Sequence, residues 1–223
     1  MERMDKLLAS TGRWSRKEVK ELIRQMADGR PVGRPEERYE PGGVYITVDG
    51  EAVDASLFVY VMLHKPAGLL SATEDSRQPT VLDLLPPELK RRGLFPVGRL
   101  DKDTTGLLLL TDDGELAHRL LSPKKHVDKV YVVRVEGRID QEDVRVLGEG
   151  MTLGDGLRCL PAGLEPLGDG GMKRMLAARG KPVLALHRLS MGSLTLDEGL
   201  KPGQWRFLSK DERAKLTGIG NAL

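Results

Sequence analysis

One cysteine, Cys159, occurs among 223 residues, so no internal disulfide can form and a reducing compartment is expected. The four histidines, His64, His118, His126 and His187, fall outside any zinc-binding spacing, and no metal is expected. Long apolar runs are missing too. The longest, Leu57 to Leu63, is far short of the roughly 18 residues of a membrane span, and the N-terminus opens on charges rather than a signal-peptide core. A cytoplasmic chain with no membrane partner is expected. Charge of one sign is not in excess: 35 Lys and Arg face 33 Asp and Glu. The whole chain is therefore not a polycation. With 26 glycines and 13 prolines it stays below the roughly 25–30% that marks low complexity. Its 39% hydrophobic content is enough for the core of one or two compact domains.

The basic charge that is present is local. Arg3, Lys6, Arg13, Arg16, Lys17, Lys20 and Arg24 crowd the first 25 residues, and Lys90, Arg91 and Arg92 form a second cluster. Met4, Leu7 and Leu8 predict a short helix stopped by Gly12. A second helix starts at Ser15, where Glu18 completes a capping box, and Val19, Leu22, Ile23 and Met26 make its buried stripe. Arg16, Lys17, Lys20 and Arg24 lie outside that stripe, either as a surface for a phosphate backbone or as an ordinary solvated face. Val44 to Val48 and Glu51 to Val53 flank Asp49-Gly50 and predict a hairpin. This module of roughly 55 residues is marginal on its own and needs the rest of the chain or a partner.

Beyond it, strands are expected at Leu57–Leu63, Val130–Val135, Pro182–Leu189, Ser193–Leu196 and Gln204–Leu208. Helices are expected at Glu115–Leu121 with a cap at Asp112 or Asp113, at Gln141–Leu147 behind Asp140, and at Met172–Arg179 before Gly180. Mixed elements with hairpin-like spacings predict an α+β domain.

Chemistry concentrates in Val97-Gly-Arg-Leu-Asp-Lys-Asp-Thr-Thr-Gly-Leu-Leu-Leu-Leu-Thr-Asp-Asp-Gly114. Asp101 sits among basic and glycine neighbours just before a run that reads as a buried strand, a place where loops present catalytic groups. The alternative is a plain turn in which Asp101, Asp103, Thr104 or Thr105 bond the backbone. This segment resembles the catalytic motif of RNA pseudouridine synthases, in the branch typified by the ribosomal small subunit enzyme. Leu63-His-Lys-Pro-Ala-Gly68 resembles that branch's first motif, and Ser122 to Tyr131 its second. Met172-Lys-Arg-Met175, His187-Arg-Leu and Gly192 to Leu196 resemble the third, and the N-terminal module resembles an S4 RNA-binding domain. Two departures stand out. Pro166-Leu-Gly-Asp-Gly-Gly171 leads straight into Met172, without the strand and Tyr-His-Gln that usually come first, and the S4-like segment lacks Gly-Arg-Val after its second helix.

The resemblance implies an S4-like domain over 1–57 and a synthase domain over 58–223, the latter a mixed, mainly antiparallel sheet flanked by helices. It implies isomerisation of uridine in RNA without a cofactor. Asp101 would be nucleophile at C1′ or base at the 2′ carbon, and the sequence leaves that choice open. Either role needs an ionised carboxylate, which a cation favours, and the resemblance makes Lys173 that partner. Tyr131 is a core tyrosine by its strand face and a base-stacking ring by resemblance. Arg99 would enter the space left by the extruded base. Lys65 and Lys129 are expected on the RNA face, with Lys6, Arg13, Arg16, Lys17, Lys20 and Arg24 gripping phosphates. Two tryptophans, four tyrosines and three phenylalanines are too few for an extended stacking platform. The C-terminal segment resembles the small-subunit enzyme more than its large-subunit relatives, which implies one uridine of 16S rRNA, of the uridine-516 type, in ribosomal RNA or an assembly intermediate, met by a monomer. A site in 23S rRNA and a noncatalytic S4-type binding factor are the alternatives. A hydrolase would need a serine–histidine pair, a Walker loop or paired carboxylates, which the sequence does not offer.

Overall fold

The computed structural model describes residues 1–22, 25–27, 29–31, 34–40, 46–53, 56, 58–125, 127–164, 180, 182–218. The N-terminal part opens with β1 (Glu2–Arg3) and α1 (Met4–Ser10), whose Met4, Leu7 and Leu8 are buried. Gly12, at φ +76°, takes the left-handed conformation that ends the helix. The expected capping box starts α2 (Arg16–Glu21): Ser15 N–H donates to Glu18 Oε2 at 2.6 Å, and Glu18 N–H to Ser15 Oγ at 3.2 Å. The helix stops short of its expected end. Leu22 is already extended, and Gln25–Ala27 forms β2, which pairs antiparallel with β5 (Ile46–Val48). Cross-strand pairing gives these backbone groups the partners that a last helical turn would have supplied. Ile23 and Arg24 lie outside the described residues.

β3 (Arg30–Pro31) and β4 (Arg38–Tyr39) follow, β4 pairing with β1. The expected hairpin joins β5 to β6 (Glu51–Val53). Asp49 and Gly50, at φ 51° and 85°, both have the positive φ of a type I′ turn. Met4, Leu7, Leu8, Val19, Ile46, Val48 and Val53 share one buried cluster. Val44 of the expected first strand lies outside the described residues, as do Leu57 and the expected helix Met172–Arg179.

The larger part is built on a seven-stranded sheet, with core order β10–β13–β9–β7–β15. Its strands are β7 (Tyr60–Lys65), β8 (Phe95–Pro96), β9 (Thr105–Thr111), β10 (Lys129–Val135), β13 (Val183–Met191), β14 (Leu194–Thr195) and β15 (Trp205–Phe207). Every pairing is antiparallel except β13 with β9. The Leu107–Leu110 run is apolar without alternation because both faces of β9 are covered. Leu107 and Leu109 meet α4 (Gly114–Leu121) and α6 (Lys210–Gly218) through Leu116, Leu120 and Leu216. Leu108 and Leu110 meet Val81, Leu82 and Leu85 and, on α3 (Pro87–Arg91), Leu89. Asp113 caps α4, and Asp140 caps α5 (Gln141–Glu149), which packs Leu147 on Val133 and Val135 of β10. A small ribbon, β11 (Met151–Thr152) with β12 (Arg158–Cys159), follows α5. Among the described residues no helix is long and apolar enough to cross a membrane.

The two parts touch at Gly12. Its carbonyl accepts a hydrogen bond from Arg91 Nε at 2.9 Å, and a Cβ here would strike the Glu88 carbonyl of α3.

Candidate active site

The register of four strands sets Lys65, Gly106, Arg188 and Tyr131 in one row, on β7, β9, β13 and β10. Register partners project on the same face. This is the face of Leu108 and Leu110, against which Tyr131 also packs. Gly106 has φ +101°, and a Cβ there would collide with the Arg188 backbone, so only glycine lets β13 approach β9 this closely.

Asp101 lies in the turn that feeds β9, with its side chain exposed. The turn is tied down on several sides. Thr104 N–H donates to the Asp101 carbonyl at 3.1 Å, and Gly68 N–H to the Lys102 carbonyl at 2.9 Å. Ser71 Oγ donates to the Leu100 carbonyl at 2.9 Å and accepts from the Leu100 N–H at 3.1 Å. Lys102 Nζ reaches Gln78 Oε1 at 2.8 Å.

Beneath the turn is Lys65, and here the structure corrects the sequence reading. Lys65 is 0% exposed and has no access to RNA. Its ammonium donates to the carbonyls of Pro66, Lys102 and Thr104 at 3.0, 3.0 and 2.8 Å, which uses all three of its N–H groups. Burial pushes its pKa down, and the Asp103 and Asp101 carboxylates act against that. Lys65 is thus a buried cation that clasps the backbone under Asp101.

Tyr131 is partly buried, packed against both the β9 cluster and the β10–α5 cluster. Behind it, Arg188 is 2% exposed; its Nε donates to the Leu107 carbonyl at 2.7 Å. Burial pushes the Arg188 pKa down, and the Tyr131 side chain acts against that. Among the described residues the Arg188 Nη2 has no hydrogen-bond partner. The sequence reading placed Arg188 in a motif but gave it no role. The available signal was a charged residue in a strand whose neighbours point into the core.

Arg99 and Lys129 are both exposed. Lys129 Nζ donates to the Val127 carbonyl at 3.0 Å, and its pKa is lowered by burial and by Arg188. On the N-terminal part, Lys6, Lys17 and Lys20 line one concave patch with Arg3 and Asp5. Lys6 also pairs with Glu2 at 2.8 Å. Arg13 is not in this group. It pairs with Glu51 at 3.1 Å and stacks over Trp14 at 5.2 Å. Lys173, Arg24 and the Arg16 side chain lie outside the described residues.

Residues 59–216 match the RNA pseudouridylate synthase family. The chain is 48% identical to an uncharacterized RNA pseudouridine synthase, YtzG, of Bacillus subtilis, over 94% of its own length and 96% of the relative's. It is 46% identical to ribosomal small subunit pseudouridine synthase A of Pseudomonas aeruginosa, over 69% of this chain and 72% of that one. A crystal structure of a pseudouridylate synthase superposes with a TM-score of 0.66 at 33% identity, covering 97% of this chain and all of the other.

Proposed function

Since the chain belongs to the RNA pseudouridylate synthase family, we propose that it converts a uridine of small-subunit ribosomal RNA to pseudouridine, with Asp101 as the catalytic carboxylate. The observation that carries this reading is the exposed Asp101 on a braced turn, at the end of β9 where the row from Lys65 to Tyr131 crosses the sheet. Similarity to enzymes named for the ribosomal small subunit supports the choice of RNA.

In this reading the uridine is extruded from the RNA and laid against Tyr131, with stacking worth about 1–3 kcal/mol toward the cost of unstacking. Arg99 fills the space the base leaves. The Asp101 carboxylate acts at the sugar, as nucleophile at C1′ or as base at the 2′ carbon, and the N1–C1′ bond breaks. The uracil turns, C5 joins C1′, the C5 hydrogen leaves as a proton and N1 takes one up. The reaction is an isomerisation and needs no redox partner. Lys173 supplies the cation that favours an ionised Asp101. Residues 1–57 act as an S4-like RNA-binding domain, with Lys6, Lys17 and Lys20 on phosphates, and residues 58–223 carry the chemistry.

RNA tritiated at uridine C5 tests the assignment. The parent protein releases the label to water, and Asp101→Asn binds the same RNA but retains it. Release by Asp101→Asn at the parent rate would remove Asp101 from the mechanism. Mapping pseudouridine in both ribosomal RNAs of cells lacking the gene then identifies the target; a lost site in the large subunit would refute the choice of RNA.

A further inference from the structure

We propose that Arg91 and Arg92 are positioning residues that dock the N-terminal part on the larger one and so help select the uridine, by fixing how far the phosphate-gripping lysines stand from Asp101. The inference rests on the reading above that Lys6, Lys17 and Lys20 hold RNA. Lys90, Arg91 and Arg92 are the second basic cluster of the sequence, and the structure turns them inward. Lys90 pairs with Asp83 at 3.0 Å. Arg91, the last residue of α3, donates from Nε to the Gly12 carbonyl at 2.9 Å. Arg92 caps the helix, and its side chain is 2% exposed. It donates from Nη2 to the Ser56 carbonyl at 2.8 Å and from Nε to Asp112 Oδ2 at 2.6 Å.

Gly12 follows α1 and Ser56 follows β6, so the two arginines hold the N-terminal part near both of its ends. Asp112 directly follows β9, the strand that the Asp101 turn feeds, and its Oδ1 accepts the Val59 N–H at 2.7 Å. Through Arg92 the N-terminal part is thus referenced to the strand that presents Asp101. Apolar packing does not do this. Among the described residues, no hydrophobic cluster contains side chains from both parts. A cavity of about 390 Å³ lies between them, walled by Arg13 and Val53 on one side and by Phe58, Leu89 and Trp205 on the other. A packed core would fix the relation of the two parts by itself, whereas parts joined by a small polar interface move by default. Across this hollow seam the arginine bonds oppose that motion. Gly12 lets α3 come near enough to make them, since a Cβ there would strike the Glu88 carbonyl.

Arg91→Ala tests the proposal, because it removes one tie and leaves the buried Arg92–Asp112 pair intact. In label release from a small-subunit ribosomal RNA transcript, KM is expected to rise about 5- to 20-fold with kcat changed less than about twofold, because a loosened module offers its grip at a lower effective concentration. Pseudouridine mapping on the same transcript is expected to show modification spreading to uridines near the parent's target. Arg91→Lys, which keeps a donor for the Gly12 carbonyl, is expected to recover part of the KM. With Lys6, Lys17 and Lys20 all changed to Gln, Arg91→Ala is expected to cost less than about twofold more, because the grip it positions is already gone. An unchanged KM, or a profile still confined to the parent's uridine, would overturn the proposal, as would losses that multiply in the cycle. If the thermal transition of Arg91→Ala falls more than about 5 °C below the parent's, Arg91→Lys takes its place in the cycle and is read in the same way. The three lysine changes separate the two levels. If they leave KM for RNA unchanged, the N-terminal grip is misassigned and this inference falls with it. If they raise KM and Arg91→Ala does not, only the docking role fails.

Discussion

Lys65 Nζ lies 2.8 Å from the Thr104 carbonyl, joining the end of β7 to the turn that carries Asp101. Two further carbonyls complete its coordination, so the loop closes around an ammonium rather than around apolar side chains. The position of Asp101 therefore depends on a residue that RNA never touches.

Replacing that ammonium should be costly. Lys65→Met keeps an unbranched apolar stem, one atom shorter, but strands three carbonyls. A loss of about 3–5 kcal/mol is expected in denaturant unfolding, by the cost of breaking a buried charged cluster. Activity should fall along with stability. A melt within 1 °C or so of the parent would show that the clasp contributes little.

Gly106→Ala tests the close approach of β9 and β13. The new methyl would sit 2.6 Å from the Arg188 nitrogen, at a φ of +101° that alanine disfavours. A destabilisation of about 3 kcal/mol or more is expected. The same change at Gly137 meets nothing within 4 Å. There only the positive φ of +83° opposes it, so a loss of about 1–2 kcal/mol is expected.

Lys17→Gln and Lys20→Gln together should weaken RNA binding without changing turnover at saturation. Each phosphate contact removed lowers the slope of log affinity against log salt by roughly 0.7–0.9. Filter binding across a salt series reads this directly. An unchanged slope would place the RNA elsewhere.

Acid stability should report on the clasp between β15 and α6. Arg206 holds both Glu212 oxygens at 2.8 Å, and this pulls the Glu212 pKa from 4.5 to about 2. A depressed folded pKa gives stability that is fully present above the unfolded value and is lost as pH falls through the folded one. Glu212→Gln should therefore be less stable by about 1–2 kcal/mol at neutral pH, and the difference should shrink from near pH 4.5 toward pH 2. A constant difference across that window would assign the loss to packing.

Much of this architecture was legible from local sequence. The Ser15 box, the Asp49-Gly50 turn and the buried β9 run each depend on residues a few positions apart. The fate of Lys65 was not, because the carbonyls that hold it come from Lys102 and Thr104, 37 and 39 residues away. A lysine at a strand end beside proline looks like a surface residue until the chain closes over it. Arg188 was hidden for the same reason: the carbonyl it holds, that of Leu107, is 81 residues away on β9. α6 escaped notice since its only buried residue is Leu216, which leaves no apolar period to detect. The early end of α2 reflects strand pairing that overrides a helical repeat.

The row across the sheet also separates two kinds of positive charge. Lys17 and Lys20, proposed above to grip phosphates, face solvent, where counterions would compete with them, whereas Lys65 and Arg188 keep their charge under the protein surface. The ionic atmosphere screens the first pair strongly and the second hardly at all. Capture of RNA and turnover of the captured uridine thus answer differently to the salt around the enzyme: the first weakens as salt rises, and the second keeps its pace once the RNA is seated.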